Sequence, residues 1–409
     1  MKPRLKIFVL LSRIPWPLEK GDKLRAFHQI KSLSVSADIF LCALNTDPKA
    51  DKQQAFRALQ PFCKSVSFID LPHSALIPNL LKAFVGRKPL QTGFFFNAKA
   101  FRQVQNLISK HKPDLIYAQL LRVAEYVRHQ PLPKVLDYQD VFSMGMKRRM
   151  ELAAWPFGMF YRLEYKRLLR YEAEVFNDFD LKTIISYPDR ELIPHPDRDQ
   201  IMVVPNGVDH QFFRPMEAEK KFDLVFTGNM AYPPNVNAAL FLCREIMPIV
   251  WKKSPETSVL LAGATPDRQL LRLQDKRITV SGWMDDIREA YASARVFIAP
   301  MKIGTGLQNK LLEAMSMKMP CITTPLAFEP LKARAGSEIL VGETAAQLAE
   351  LVEHLLRSNA FAQQVAELGY DFVQQNYNWD ASTTRLLAEM SQMVAETKSQ
   401  NDNRTFDLP

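Results

Sequence analysis

Nowhere in these 409 residues is there an uninterrupted apolar run long enough to cross a bilayer, although 47% of the chain is hydrophobic. A spanning helix needs about 20 such residues, so the apolar content belongs to a packed core. The early run Leu5–Leu11 is only strand-length, and Arg13, Pro15 and Pro17 follow it at once. It does not read as a signal-peptide core, and a cytoplasmic protein is predicted. Cysteine is scarce too: Cys42, Cys63, Cys243 and Cys321 are scattered, with no C-x-x-C pair. That excludes zinc-site spacing, and three of the four sit in apolar surroundings, as reduced core residues do. No nucleic-acid-binding module or aromatic–basic repeat is present, which leaves nucleic acid unsupported as a partner despite a formal charge of +9.

That charge leaves an anionic membrane surface or a phosphorylated substrate. One segment concentrates it: KRRMELAAWPFGMFYRLEYKRLLR, from Lys147 to Arg170, interleaves Trp155, Phe157, Met159, Phe160 and Tyr161 with Arg and Lys. An interfacial helix has this composition. So does a long amphipathic helix packed on its own domain with its basic residues solvated. Pro156 breaks or starts a helix rather than sitting inside one.

The length implies two domains. Apolar runs at Leu5–Leu11, Ile39–Leu44, Val66–Ile69, Leu115–Tyr117, Val135–Leu136 and Thr183–Ile185 alternate with helical patterns at Asp22–Leu33, Gln53–Leu59, Ala98–Ser109 and Tyr161–Phe176. That alternation predicts a parallel sheet covered on both faces. The strand Ile201–Val204 ends in Pro205-Asn206-Gly207, a turn signal, and Asp209–Lys221 reads as a charged linker. A second series follows at Leu224–Thr227, Ser258–Ala262, Ile278–Val280, Val296–Ala299, Cys321–Thr323 and Ile339–Val341. The fold class is therefore α/β, with two Rossmann-like, doubly wound domains facing each other across a cleft. Their spans are 1–207 and 208–380, followed by a helix at 381–397 that packs back across the junction. The polar tail 398–409 reads as disordered. Ligands in such sheets bind outside the carboxyl ends of the strands, which points to the loops after Leu11, Thr227, Ala262 and Pro300.

The richest stretch is VFIAPMKIGTGLQNKLLEAMSMKMPCITT, Val296 to Thr324, which reads strand, glycine turn, helix, strand. Gly304 and Gly306 flank Thr305, and the turn feeds a helix over Leu307–Met317. A helix N-terminus presents unpaired N–H groups and partial positive charge, which suit a phosphate. Lys310 and Glu313 share one helix face; Lys can pair with phosphate and Glu can accept hydrogen bonds from sugar hydroxyls. The competing reading is a plain βα turn with a solvated Lys310–Glu313 pair. A dinucleotide fingerprint with Glu329 as the ribose acid fails, because Asn309 replaces the third glycine and the turn lies late in the chain.

Five stretches, running from Ser12 to Pro325, carry a resemblance: SRIPWPLEKGDKLRAFHQIKSL, VVPNGVDHQFFRP, VFTGNMAYPPNVNAALFL, SGWMDDIREAYASARVFIAP and IGTGLQNKLLEAMSMKMPCITTP. Together they resemble a GT-B glycosyltransferase of the large retaining, family 4-like group of bacterial glycan-building enzymes. More narrowly, they resemble sugar transferases of exosortase/PEP-CTERM-associated exopolysaccharide systems. The resemblance implies an acceptor-side N-terminal domain, a C-terminal domain that binds a UDP- or GDP-sugar, and no bound metal or cofactor. It implies that the loop of Gly21, Asp22 and Lys23 closes over the donor phosphates and touches the acceptor. It also implies that the loop of Gly228 and Asn229 approaches the diphosphate. The superfamily usually carries an Arg and a Lys after that glycine; here Asn229, Met230 and Tyr232 follow, so neutralisation leans on Lys310 and the turn's N–H groups. The superfamily also pairs the glutamate matching Glu313 with another eight residues upstream. That position is Thr305 here, which leaves the donor sugar and the mechanism open.

Lys23 or Arg25 can meet phosphate or acceptor by charge, and Asp22 can equally cap a helix. Trp283 lines the nucleobase in the resembled fold, or anchors its own domain core. Where many relatives have His after the fourth strand, this chain has Tyr117 and Gln119, and His28 reads as packed or exposed. Asp137 and Asp140, in LDYQDVFS, are the candidates to orient or deprotonate an acceptor hydroxyl, though Asp140 can also cap a helix. The D-x-D pair Asp178 and Asp180 precedes a strand, away from any ligand-binding loop, and is not taken as a metal site. The function expected is transfer of a sugar from a nucleotide donor to a growing glycan or lipid-linked acceptor, with the protein peripheral at the inner face of the plasma membrane. Two alternatives stand beside it: a non-catalytic nucleotide-sugar-binding protein, motivated by Thr305, and a nucleotide-sugar epimerase of the same shape.

Overall fold

The computed structural model describes residues 4–72, 76–153, 157–303 and 306–406. Gly304 and Thr305 of the predicted phosphate turn, and Trp155 and Pro156 of the basic segment, lie outside the described residues. The chain divides into two compact units, Met1–Pro205 with Trp379–Pro409, and Asn206–Asn378.

In the first unit, β1 (Leu5–Leu11), β2 (Ala37–Asn45), β3 (Ser65–Asp70), β4 (Leu115–Gln119), β5 (Lys134–Gln139), β6 (Leu181–Ile184) and β7 (Met202–Val203) form one sheet. Its order is β3-β2-β1-β4-β5-β6-β7, with parallel pairing throughout. The period of two along β1 shows why it is central. Ile7, Val9 and Leu11 pack with Ile30 and Leu33 on one face, while Phe8 and Leu10 pack with Val104 and Ile108 on the other. In the second unit, β8 (Phe222–Thr227), β9 (Val259–Ala262), β10 (Ile278–Gly282), β11 (Ala294–Ala299), β12 (Cys321–Thr323) and β13 (Leu340–Val341) follow the order β10-β9-β8-β11-β12-β13. Both sheets reverse direction beside their first strand, between β1 and β4 and between β8 and β11. Doubly wound sheets bind ligands at such points.

The last helix, Trp379–Phe406, belongs to the first unit. Leu386, Met390 and Val394, spaced by four, enter the core beside Ile30 and Leu33. Trp379 stacks on His28 with ring centroids 5.1 Å apart, and Ser32 donates to Asp380. The reading of the tail as disordered is corrected for 398–406, where the helix runs on through Phe406 and Lys398 pairs with Asp114 at 2.9 Å; 407–409 lie outside the described residues. A helix anchored by a buried stripe propagates through polar residues at little cost per residue. Among the helices that went unread are Leu76–Val85, Leu90–Phe95 and Tyr187–Glu191. The basic segment is divided between the helices Phe142–Leu152 and Phe157–Phe176. All four cysteines are free; burial pushes the Cys42, Cys63 and Cys243 thiols up to about 12.

A buried charge cluster ties the first unit together. Arg25, on the helix Gly21–Leu33, grips Asp137 of β5 with Nε at 2.7 Å and a terminal nitrogen at 3.0 Å. Its other terminal nitrogen donates to the Val204 carbonyl at 2.9 Å. Asp137 also accepts from the Tyr117 hydroxyl at 3.1 Å and the Thr183 hydroxyl at 2.8 Å. Both Arg25 and Asp137 are fully buried. Two readings are therefore corrected: Asp137 does not act on an acceptor hydroxyl, and Arg25 does not meet a phosphate. Both carboxylate oxygens of Asp137 accept two hydrogen bonds each, and the residue is fully buried.

Removing one partner of such a pair strands the other charge in a dry interior. Asp137→Ala is expected to destabilise the first unit by about 3–5 kcal/mol. A fall in the urea midpoint with an unchanged slope measures it.

Candidate functional site

The second unit's site forms where β8, β9 and β11 end. Gly228 follows β8 at φ +148°, and a Cβ there would lie 2.6 Å from the Asn235 side-chain nitrogen. Gly263 follows β9 at φ +142°, and its Cβ would fall 1.8 Å from the Gly228 carbonyl oxygen. Two strand ends are thus in backbone contact, and only glycine fits at either. Asn229 does not project toward a ligand: its side-chain oxygen accepts from the Ala231 N–H at 3.0 Å and the Thr265 hydroxyl at 3.1 Å. It shapes the loop, and its carbonyl takes the Asn235 amide at 2.9 Å.

Lys310 approaches from the helix Asn309–Ser316. Its ammonium would lie 3.4 Å from a Cβ on Gly228, donates to the Asn235 side-chain oxygen, and sits 4.8 Å from the Phe226 ring centroid. No carboxylate among the described residues lies within ion-pair distance of it. Burial pushes Lys310 down to about 7, opposed by the charge of Glu313. One turn further on, Glu313 accepts from the Tyr291 hydroxyl at 2.7 Å, and that hydroxyl also meets Thr227 at 2.8 Å. Burial pushes the Glu313 carboxyl up. Gly306, at φ +68°, takes the left-handed conformation that leads into the helix. The helix begins at Asn309 rather than Leu307, and Gln308 at its N-cap position makes no side-chain cap.

The structure therefore groups Gly228, Lys310 and Glu313, with Asn229 and Gly306 as loop formers. Trp283 stands apart on the loop after β10. It is 66% exposed, with its indole N–H on Asp285 at 3.1 Å. The core-anchor reading is thereby excluded. Chemically, a half-buried cation beside bare backbone and a helix N-terminus suits an oxyanion, and Glu313 offers an acceptor on the same face. Sequence reasoning missed Asn235, Tyr291 and Gly263. Only Gly263 carried a signal, as the glycine ending a predicted strand; Asn235 and Tyr291 look like ordinary helix residues.

The remaining predicted residues lie in the first unit. Gly21 opens the helix Gly21–Leu33, whose N-cap is Lys20, so Asp22 is not the cap. Asp22 pairs with Arg13 at 2.9 Å and Lys23 with Glu19 at 3.0 Å. Gln139, at φ +62°, reaches the Gly21 carbonyl at 3.4 Å. Asp140 accepts from the N–H of Val141 at 2.8 Å. Asp178 pairs with Arg128 at 2.5 Å, and Asp180 accepts from the Lys134 N–H at 2.7 Å. Among the described residues, no group of three or more His, Cys, Asp or Glu could hold a metal ion.

Residues 221–358 match the family described as Glycosyl transferases group 1. The second unit carries a glycosyltransferase domain. A sucrose-phosphate synthase from Thermosynechococcus elongatus shares the fold at TM-score 0.69 and 16% identity, over 96% of this chain and all of that one. HepE from Anabaena, solved in complex with UDP and glucose, aligns at TM-score 0.69 and 14% identity, over 95% of this chain and 100% of its own. Both share the two parallel α/β sheets, one in each unit, of the GT-B fold class. A 44.6 kDa protein of the cps region of Klebsiella pneumoniae is 22% identical over 172 residues. The match spans 39% of this chain and 44% of the length of that curated relative. The glycosyltransferase domain contains every member of the Lys310 cluster, from Thr227 to Glu313.

A lysine whose neighbours offer one amide oxygen and an aromatic face should titrate far below exposed lysines. NMR of side-chain carbons in labelled protein is expected to show one lysine with a midpoint of about 7. Lys310→Met should abolish that signal, and a spectrum with all lysines titrating above pH 9.5, roughly the ordinary range, would contradict the geometry.

Proposed function

We propose that the protein is a glycosyltransferase that moves a sugar from a UDP- or GDP-sugar to a glycan or lipid-linked acceptor. In this reading the second unit binds the donor and the first unit takes the acceptor. The observation that carries it is Lys310, an ammonium group held at the switch point of the second sheet with no carboxylate among the described residues in ion-pair range. A donor diphosphate supplies the missing counter-charge. As the sugar leaves, negative charge builds on the diphosphate, and Lys310 and the start of the helix Asn309–Ser316 stabilise it. Such preorganised electrostatics is usually the largest contribution to catalysis. Glu313, oriented by Tyr291, accepts from the ribose hydroxyls. Asp140 is the candidate to orient or deprotonate the acceptor hydroxyl. The UDP bound in the HepE structures supports a nucleotide donor, and the cps-region relative supports a place in surface-polysaccharide synthesis. Retention at the anomeric carbon, an exosortase-linked setting and independence of metal complete the proposal.

Peripheral contact with an anionic membrane belongs to the same reading. No described helix is long and apolar enough to cross a membrane. Instead Phe157, Met159, Phe160 and Leu163 stand exposed at the start of their helix, and Leu81, Phe84 and Val85 stand exposed on the helix Leu76–Val85. Arg167 joins the two, donating to the Phe84 carbonyl at 3.0 Å and lying 4.8 Å from its ring centroid. Exposed aromatic residues among Arg and Lys insert into the headgroup region while the charges meet anionic lipid.

Incubation with a donor panel and a glycan-lipid extract is expected to release nucleoside diphosphate, and to do so equally with chelator present. Binding of donors without turnover on any acceptor would favour a non-catalytic protein. Lys310→Ala and Glu313→Ala should each weaken nucleotide affinity by about tenfold or more. A bound diphosphate favours the ammonium form and raises Lys310 from about 7. Above that pH binding takes up a proton, so affinity falls as pH rises, by up to about tenfold per unit. Calorimetry in buffers of different ionisation enthalpy reads that uptake, which Lys310→Met removes.

Sedimentation with vesicles tests the membrane contact. Binding should require anionic lipid, weaken with salt, and drop about tenfold in a Phe157→Glu, Phe160→Glu double variant. Equal binding to neutral vesicles would contradict the electrostatic part.

A further inference from the structure

The first sheet has a cation of its own at the matching place. Arg13 lies two residues beyond β1, and Arg122 three beyond β4, so both stand where that sheet reverses. The Arg122 guanidinium carbon lies 5.1 Å from the Phe95 ring centroid and 4.8 Å from that of Phe142. Its Nε is buried without a hydrogen-bond partner. The buried arginines of this unit have carboxylate partners, although the Arg128 Nε is likewise without a hydrogen bond. Arg25 is paired twice over with Asp137, and Arg128 contacts Glu125, Glu174 and Asp178. For Arg122 the neighbouring charges are Arg13, Asp22 and Asp140. None of them pairs with it among the described residues. Asp22 is engaged by Arg13 at 2.9 Å, and Asp140 accepts from its own loop at Val141.

We propose that Arg122, with Arg13 beside it, forms an oxyanion subsite in the first unit that takes a phosphate or carboxylate group of the acceptor. The assignment rests on the glycosyltransferase reading for the word acceptor, but not for the subsite itself. A guanidinium fixed against two aromatic rings is preorganised, so little rotamer freedom is lost when it binds. Its planar fork matches the two oxygens of a carboxylate or phosphate. Two arginines against two carboxylates leave the surroundings close to neutral, which favours a ligand group of low charge. A uronic-acid residue and a sugar phosphate both qualify. Burial pushes Arg122 down to about 10, so it remains a cation at neutral pH.

The test uses the full chain saturated with whichever nucleoside diphosphate most raises its melting temperature, so that the donor site is filled. Glucuronate, glucose 1-phosphate and glucose are then titrated by thermal shift, which reports affinity for the native state. Glucuronate or glucose 1-phosphate is expected to raise the melting temperature, and neutral glucose not to. The stronger of the two identifies the acceptor's anion. Arg122→Met, which keeps the apolar stem between the rings, should weaken that ligand by about tenfold or more, and Arg122→Lys by less, with nucleotide affinity unchanged in both. Equal shifts in wild type and Arg122→Met would show that the guanidinium only packs on the rings, and would overturn the proposal. So would an absence of any shift in wild type. Loss of nucleotide affinity in the Arg122 variants would reassign the group to the donor diphosphate and overturn the acceptor role. Should Arg122→Met fail to fold, Arg122→Lys decides alone: full retention of anion binding by a protein without the fork refutes fork recognition. A wild type that binds glucuronate or glucose 1-phosphate but no nucleotide keeps the subsite and ends the glycosyltransferase reading, so the two failures are distinguishable.

Discussion

The second unit depends on two strand ends meeting without side chains between them. Gly263 presses against the carbonyl of Gly228 so closely that any Cβ would overlap it. That contact holds the β8 loop in the bent path from which Asn229 and Asn235 bond each other. Asn235 in turn offers the oxygen that receives the Lys310 ammonium. Backbone, amide and charge form one chain of dependence. Loosening the glycine contact would move the group that positions the lysine, and with it the place where an anion can sit.

A common economy of design links the two units, each considered in its own frame. Both sheets reverse beside their first strand, and both leave a cation near that point with no carboxylate among the described residues in ion-pair range. Lys310 plays this part in one and Arg122 in the other. The contrast with Arg25 and Arg128 gives the observation its weight, because those residues show what the same fold does when a charge serves structure. They are neutralised by aspartate or glutamate at hydrogen-bond distance. A desolvated cation without such a partner is costly in a folded protein unless a ligand offsets it.

Much of the architecture was legible in the residues. The β1 run Leu5–Leu11 is apolar from Ile7 onward because both of its faces are covered there, and glycine and proline punctuate most strand ends. Lys310 and Glu313 were legible as a pair because helix geometry alone puts residues three apart on one side. The failures have physical causes. Asp137 looked like a catalytic base because it ends a strand near the expected ligand. Its burial under Arg25 depends on a residue 112 positions away, which no local pattern reveals. The tail looked disordered because its residues are polar, yet a helix nucleated by Leu386, Met390 and Val394 carries polar residues along. The helix Leu76–Val85 carries Pro78 near its start, which reads as a breaker, and Leu90–Phe95 is too short to show a period and contains Gly93.

By itself the sequence determined the α/β class, the number of sheets and the helix face shared by Lys310 and Glu313. All of these follow from hydrophobic period and local backbone preference, which act over a few residues. The tertiary structure alone decided which charges are neutralised and which are left for a ligand. Ion pairing and desolvation act through space, between residues that the chain holds tens to hundreds of positions apart. Arg25 and Arg122 are indistinguishable as letters, and only folding gives one a carboxylate and leaves the other between two rings.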